Sequence, residues 1–355
     1  MHTDRPDSII HSVAPIRICD LGGWTDTWFA RYGQVLNIAV YPAVEVQVQV
    51  WPRDDGSRPR ITIHADNYGE SWCPPAGKEG FGRHALVEAS VAYAHVPDDV
   101  GVEISIFSEC PGGCSTGTSA AVGVALLAAL DRLTPGRKSA QAIAAAAQRV
   151  ETELLRQQSG IQDQIAAAHG GVSFIEMTEY PSATVIPVKL SPVVESELES
   201  RLALIFVGQT HSSSETHEMV IAGLEDAGPE APELVPLRRT PGQGRAALEA
   251  GDLDSFGEIM TANTEAQRAL NAALIGPRHQ EIIDIAASHG AAGWKVNGAG
   301  GAGGSVTLLG GADRRAHRRM IDAVLSASSR YRNIPVRICH GGVQSWTVRN
   351  AKIIE

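Results

Sequence analysis

Between Glu109 and Leu130 the chain reads ECPGGCSTGTSAAVGVALLAAL, a glycine- and hydroxyl-rich segment set directly against an Ala/Leu/Val run. The alternating segment Gly101 to Glu109 predicts a strand before it, and the run from about Ser119 to Leu133 predicts a helix after it. Strand, glycine loop and helix N-terminus together aim unpaired N–H groups and the helix dipole at an anion. Gly112, Gly113 and Gly117 permit close backbone approach, while Thr118 and Ser119 add hydroxyls in the first helical turn. No lysine follows the last glycine, so the stretch is not a Walker loop. An ordinary capped helix after a turn accounts for this stretch alone equally well.

A second glycine cluster, KVNGAGGAGGSVTLL from Lys295 to Leu309, has the density of a dinucleotide fingerprint. Its last five residues, Ser305 to Leu309, alternate and are β-branched, so a strand stands where such a site needs a helix. A connection that lets another loop pack closely is the better reading. The segment HSVAPIRICDLGGWTDTW, His11 to Trp28, places Arg17 in an apolar strand and Asp26 just past a Gly-Gly turn. Taken singly, the first is a snorkelling arginine and the second a turn carboxylate. In RVETELLRQQSGIQDQIAAAHGG, Arg149 to Gly171, Ser159 and Gln162 have the spacing of a capping box for a short helix. Asp163 then falls in that helix's first turn, where the dipole favours its charged form. Glu151 precedes it by twelve positions and by itself reads as a solvated helix carboxylate.

These clusters need elements to carry them. Val35 to Trp51 reads as a long strand, Arg58 to Asp66 as another after the turn signal DDGS, and Arg83 to Val96 as a helix. Ser139 reads as the N-cap of a helix through AIAAAAQRVETELLRQQ, and GGVSFIEM and ATVIPVKL read as strands. Ser191-Pro192 begins a connector, and RLALIFVG opens a second strand-and-helix region. Without regular β-α-β alternation the fold class is α+β, in two domains, 1–185 and 186–355, with a soft boundary near 185–200.

The bulk numbers set limits on partners. The 355 residues carry a formal charge of −10, which argues against a nucleic-acid or membrane-surface binder. No apolar run is long enough for a membrane span or a signal peptide, so a cytoplasmic protein is expected. Five cysteines without a CxxC pair predict reduced, buried thiols; Cys110 and Cys114 have the spacing of a zinc half-site but no second half.

In this order the four clusters resemble the GHMP kinase superfamily, whose phosphate loop reads PxGxGLGSSAA. Pro111, Gly112, Gly113, Cys114, Ser115, Thr116, Gly117, Thr118 and Ser119, with two following alanines, align to it without a gap. APIRICDLGGWTD is similar to the family's N-terminal motif, SGIQDQ to the central one and GAGGAGG to the C-terminal one. Ser115 and Thr116 replace Gly-Leu, which puts the conformation of the loop tip in question. Gly23-Trp24 stands where galactokinases carry Glu-His, which argues against galactose. The GGWTD and QDQIAAAHGGVSFIE runs resemble heptose 7-phosphate kinases and L-fucokinases.

The resemblance implies a two-lobed fold with ATP and substrate between the lobes, and a role for each matched residue. Residues 111–119 bind ATP, and Ser119 and Glu151 hold Mg²⁺. Asp163 is the catalytic aspartate, and Arg17 is a cation beside the attacking oxygen. Asp26 is a sugar ligand, with Gly23, Trp24 and Thr25 shaping the pocket. The expected activity is phosphorylation of an anomeric C1 hydroxyl, on a heptose 7-phosphate or, alternatively, on L-fucose or another free sugar. Rivals are a non-catalytic sugar sensor and a decarboxylase of the mevalonate branch. Expected partners are a small sugar or sugar phosphate, no nucleic acid and no membrane, with a homodimer left open. Arg238, Arg239, Arg245 and Lys295 are among the cations available to a 7-phosphate, and GQTHSSSETHEM, 208–219, reads as a substrate-side loop.

Overall fold

The computed structural model describes residues 6–53, 58–75, 81–209, 213–224 and 227–354. The first half runs β1 (Ser8–Leu21), β2 (Gly33–Pro52), β3 (Ile61–Ala65), β4 (Glu70–Trp72), α1 (Ala85–Ala94), β5 (Val100–Ser108), α2 (Thr118–Leu130), α3 (Ala140–Arg149), α4 (Gln162–His169), β6 (Val172–Glu179) and β7 (Ser182–Pro187). It continues through α5 (Pro192–Arg201), β8 (Leu202–Phe206), α6 (Ser213–Leu224), α7 (Leu234–Ala250), α8 (Leu253–Leu270), α9 (Pro277–Ser288), β9 (Ala291–Val296), β10 (Ser305–Gly310) and α10 (Arg314–Ala327). Four short strands close the described chain: β11 (Arg332–Ile334), β12 (Arg337–Ile338), β13 (Gln344–Arg349) and β14 (Lys352–Ile354).

Among the described residues these strands form two sheets. The larger has ten strands along the order β14-β13-β1-β2-β5-β3-β4, with β12 and β6 added at β2 and β7 paired to β6. Its pairings are antiparallel except β3 with β5. The smaller sheet, β11-β8-β10-β9, is antiparallel. Helices α1 to α4 cover one face of the large sheet, and their alanines and leucines interlock with its valines and isoleucines. A second core joins the halves: Ile16, Ile18, Leu36 and Ile38 meet Leu204, Leu309, Phe256 and Met260.

Strand β1 shows why the sequence takes this form. Its exposure alternates as far as Val13, whereas Ala14 to Leu21 is buried without interruption. A strand covered on both faces reads as a near-continuous apolar run, as APIRICDL does. The charged members of that run, Arg17 and Asp20, must therefore find partners.

Several local readings change. The helix from Ser119 ends at Leu130 and tightens into a 3₁₀ turn over Asp131–Leu133. Ser139 caps α3 by accepting from Ala142 N at 3.2 Å, but that helix widens into a π turn over Val150–Leu154. Ser191-Pro192 is a helix start, not a connector: Ser191 Oγ accepts from Val194 N and caps α5. The DDGS turn and residues 210–212 of the substrate-side loop lie outside the described residues.

Candidate active site

A cleft of about 840 Å³ runs between the phosphate-loop segment and the Gly22–Thr27 turn. Every residue from Pro111 to Ser119 lines it, as do Arg17, Trp24, Asp26, Glu151 and Asp163. Gly23 and Thr25 are not among its lining. Thr25 Oγ1 instead donates to the carbonyls of Gly22 and Gln34 and holds the turn that presents its neighbours. Trp24, at 5% exposure, packs with Val220, Leu237 and Leu270.

Arg17 is the centre of the cleft. Its Nε donates to Asp163 Oδ1 at 2.8 Å, Nη2 reaches Oδ2 at 3.2 Å, and Nη1 donates to the Ser115 carbonyl. Burial works against its charge, but Asp163, Asp20 and Asp26 outweigh that effect and raise its pKa. One side chain thus ties the phosphate loop to the carboxylate of α4. Ser115 has a φ of 61°, so the tip keeps a left-handed backbone without a glycine, at a cost of roughly 1–3 kcal/mol.

The expected capping box is not formed. Ser159 Oγ donates to Glu151 Oε2 at 2.6 Å and accepts from Gln164 Nε2. The N-terminus of α4 is capped from far away: Asp26 Oδ2 accepts from Ile161 N and Gln162 N, both at 3.0 Å. Gly160 makes this possible, because a Cβ there would stand 2.3 Å from Asp26 Oδ2. Burial raises the Asp26 pKa to about 6; the two amides oppose the shift and Asp163 adds to it. Glu151 is raised to about 7, again chiefly by burial, with Ser159 and Gln164 opposing and Asp163 contributing. The π turn sets Glu151 into the cleft, and such turns recur at functional sites.

Four carboxylates, Asp20, Asp26, Glu151 and Asp163, therefore share one cleft, and burial raises the pKa of two of them, Asp26 and Glu151. A hard cation would relieve that repulsion, and the Ser119 hydroxyl with the Glu151 carboxylate supplies oxygen donors suited to Mg²⁺. Among the described residues no group of three or more His, Cys, Asp or Glu side chains is placed to hold a metal.

The sequence reading missed a buried network behind the cleft. Asp20 accepts from Gly298 N at 3.1 Å through both carboxylate oxygens and lies 3.6 Å from Lys295 Nζ. Asn297 Oδ1 accepts from Cys19 N, and Ser305 Oγ donates to the Cys114 carbonyl at 2.7 Å. The GAGGAGG segment thus packs against β1 and the phosphate loop, as the strand-like run after it predicts. The signal lay in two opposite charges, Asp20 and Lys295, inside otherwise apolar strands. Lys295 is consequently engaged in the core. Arg238 lies over the Tyr32 ring at 3.8 Å, and Arg245 pairs with Glu249.

At the other end of the cleft, Tyr68 and His84 face the loop, with ring centroids 5.6 Å apart. Glu88 holds the approach to α1 by accepting from Gly82 N at 2.6 Å and Trp72 Nε1 at 2.9 Å.

Comparison with known proteins accords with this geometry. Residues 84–171 match the GHMP kinases N terminal domain, and residues 245–329 match the GHMP kinases C terminal domain. Mevalonate kinase of Pyrococcus horikoshii is 30% identical over 66% of this chain and 69% of its own length. The chain belongs to the GHMP kinases, a family of phosphotransferases that use ATP as phosphate donor.

The bifunctional fucokinase/GDP-fucose pyrophosphorylase of Arabidopsis thaliana is 25% identical over 90% of this chain, which spans 32% of that protein's length. D-glycero-alpha-D-manno-heptose 7-phosphate kinase of Campylobacter jejuni is 24% identical over 83% of this chain and 87% of its own. The solved structure of a D-glycero-D-manno-heptose 1-phosphate kinase from Bacteriodes thetaiotaomicron superposes with a TM-score of 0.71 at 20% identity, covering 95% of this chain and 98% of that one. At that identity the likeness shows the mixed α/β fold. No helix among the described residues is long and apolar enough to cross a membrane.

Proposed function

We propose that the protein is an ATP- and Mg²⁺-dependent sugar kinase that phosphorylates the anomeric C1 hydroxyl. The observation that carries the reading is the Arg17–Asp163 pair set against the phosphate loop. In the proposed reaction the loop amides and the N-terminus of α2 bind the nucleotide phosphates, and Tyr68 and His84 flank the base. Ser119 and Glu151 would hold Mg²⁺, which when bound supplies charge neutralisation on the phosphate oxygens. Asp163 orients the sugar hydroxyl and accepts its proton as the oxygen attacks the γ-phosphorus and the bond to ADP breaks. Arg17 fixes Asp163 and faces the transferred group. Asp26, with Trp24 beside it, offers its remaining oxygen to a sugar hydroxyl. The reading places the protein in the cytoplasm, with lobes 1–185 and 186–355.

The relatives support two acceptor classes, a heptose 7-phosphate and a free sugar. One observation favours the second. Among the described residues lining the cleft, Arg17 is the one arginine or lysine, against the carboxylates of Asp20, Asp26, Glu151 and Asp163. Arg17 is already engaged by Asp163, and His84 by Glu70 at 3.1 Å. Such a lining suits a polyol better than a phosphate dianion. ADP release measured with ATP and Mg²⁺ over a panel of free sugars and sugar phosphates tests the reading, with the product's phosphate located by phosphorus–proton coupling. Turnover of a free sugar to its 1-phosphate is expected. Turnover confined to phosphorylated acceptors overturns the choice of acceptor, and silence across the panel overturns the sugar-kinase reading.

A further inference from the structure

Two glutamines of α4, Gln162 and Gln164, are buried, and each has a side-chain carbonyl oxygen without a hydrogen-bond partner among the described residues. The two are not alike. Gln164, at 2% exposure, anchors its Nε2 on Ser159 Oγ at 3.2 Å and is not among the cleft's lining. Gln162, at 7% exposure, lines the cleft, one residue before Asp163. Its backbone N–H donates to Asp26 Oδ2 at 3.0 Å, which fixes its main chain at the start of the helix.

The Gln162 side chain reaches the Gly22–Thr27 turn. Its Nε2 stands 3.3 Å from where a Cβ on Gly23 would lie, and that same point is 2.8 Å from Asp20 Oδ2. Any side chain at position 23 would crowd both groups, so the glycine leaves room for the amide. An amide this deeply buried, with its oxygen unpaired, costs stability. Local costs of that kind concentrate at functional sites, where a bound molecule supplies the missing partner.

We propose that Gln162 is a specificity residue of the acceptor site, whose side-chain amide hydrogen-bonds a second hydroxyl of the sugar, distinct from the one phosphorylated. This role rests on the sugar-kinase reading and holds for either acceptor class. A carboxamide carries an acceptor and two donors, and a sugar hydroxyl both donates and accepts, so each can satisfy the other. A turn about the last side-chain bond sets the unpaired oxygen toward the cleft. A carboxylate in the same place could accept from Nε2 but would leave that oxygen unpaired and would meet the charges of Asp20, Asp26 and Asp163. In the proposed reaction Asp163 takes the reacting hydroxyl and Gln162, next to it in the chain, takes another. Two adjacent contacts hold the sugar ring against rotation about the reacting oxygen. An acceptor that lacks the second hydroxyl leaves the amide buried and unpaired, and sites built around a polar group reject such analogues strongly.

The test compares the full-length protein with Gln162→Met and Gln164→Met on free aldoses, L-fucose among them, and on analogues each lacking one hydroxyl. The unsubstituted protein should lose about 10²-fold or more in kcat/KM at one deoxy position besides C1. Gln162→Met keeps the length of the side chain and removes the amide. In it that loss should shrink to within about threefold, mainly because KM for the complete sugar rises. Gln164→Met should keep the original pattern of losses, whatever it does to all sugars alike. Without sugar, Gln162→Met should melt no lower than the unsubstituted protein, because its amide oxygen has no partner to lose. Calorimetry without ATP follows sugar binding apart from turnover. Deoxy losses unchanged in Gln162→Met, a uniform loss on every sugar, or a lower melting temperature would each overturn the role. If sugars bind with the expected pattern but are not phosphorylated, the kinase reading fails and Gln162 keeps its role; if none binds, both fail.

Discussion

A Cβ built on Gly117 would lie 3.2 Å from both Cγ and Oδ2 of Asp163, so the last glycine of the phosphate loop abuts the carboxylate of α4. Gly117 also has a φ of 69°, where side chains are disfavoured. Gly117→Val should therefore weaken nucleotide binding by about tenfold or more and disturb Asp163, while Cys114→Ala has a much smaller effect. Calorimetric titration with Mg·ADP compares the two. Equal affinities would remove the loop from the nucleotide site.

Asp163 is expected to serve chemistry more than folding. Asn in its place keeps one acceptor for Arg17 Nε, and the helix it stands on is capped by Asp26. Asp163→Asn should lower turnover by about 10²–10⁴, with nucleotide affinity changed by roughly threefold at most. Asp163→Ala, which strips the buried Arg17 of both contacts, should in addition lower the melting temperature. Near wild-type turnover in Asp163→Asn on the protein's own acceptor would falsify the mechanism.

Glu151 couples stability to pH. Its folded pKa is raised to about 7 from 4.5, so between those values the folded state holds a proton that the unfolded chain has released. Stability of the metal-free protein should therefore fall as pH rises through that window. Glu151→Gln should flatten the melting curve against pH and be at least as stable at pH of about 8. The same variant and Ser119→Ala should each need more Mg²⁺ for maximal rate, with a double variant far from additive. Unchanged Mg²⁺ titrations would dismiss both residues as ligands.

Asp26 joins the sugar motif to the helix that carries Asp163. Asp26→Ala removes the acceptor for two amides and should cost about 1–2 kcal/mol of stability, read by denaturant unfolding. Asp26→Asn keeps an amide oxygen as cap, so its larger effect should be a raised KM for the sugar. With its pKa raised to about 6 from 3.8, Asp26 makes the folded state less stable as pH climbs through that interval, and the Asn variant should lose this slope. A slope that persists in Asp26→Asn would assign it elsewhere.

Legibility in the sequence tracks the range of the interactions. The strand before the phosphate loop, the Ser139 cap and the strand after GAGGAGG depend on local pattern, and all are readable. The Ser159–Gln162 capping box is a sound local pattern overruled at long range: the cap comes from Asp26, 135 residues before Ile161. The π turn at Glu151 has no periodic signature, since it is one widened turn in a helical run. Composition predicts buried thiols throughout, yet Cys73 is exposed. Asp20 and Lys295 are visible as charges in apolar strands, but nothing in their spacing says that they meet.

Strand β13 returns to pair with β1, and β14 lies beside it: Ile10 faces Thr347, which in turn faces Ile354. Two strand spacings, about 10 Å, separate the first strand from the last. The described residues, 6–354, thus begin and finish in strands that flank β13 at one edge of the larger sheet. A bridge of roughly five residues would span that distance. New ends could then be opened at the exposed turn around Gly136, between α2 and α3, outside every segment assigned to the cleft. A circularly permuted chain cut there should fold with its pairing intact, because what β1 requires is the neighbour β13 and not the order in which the two are made.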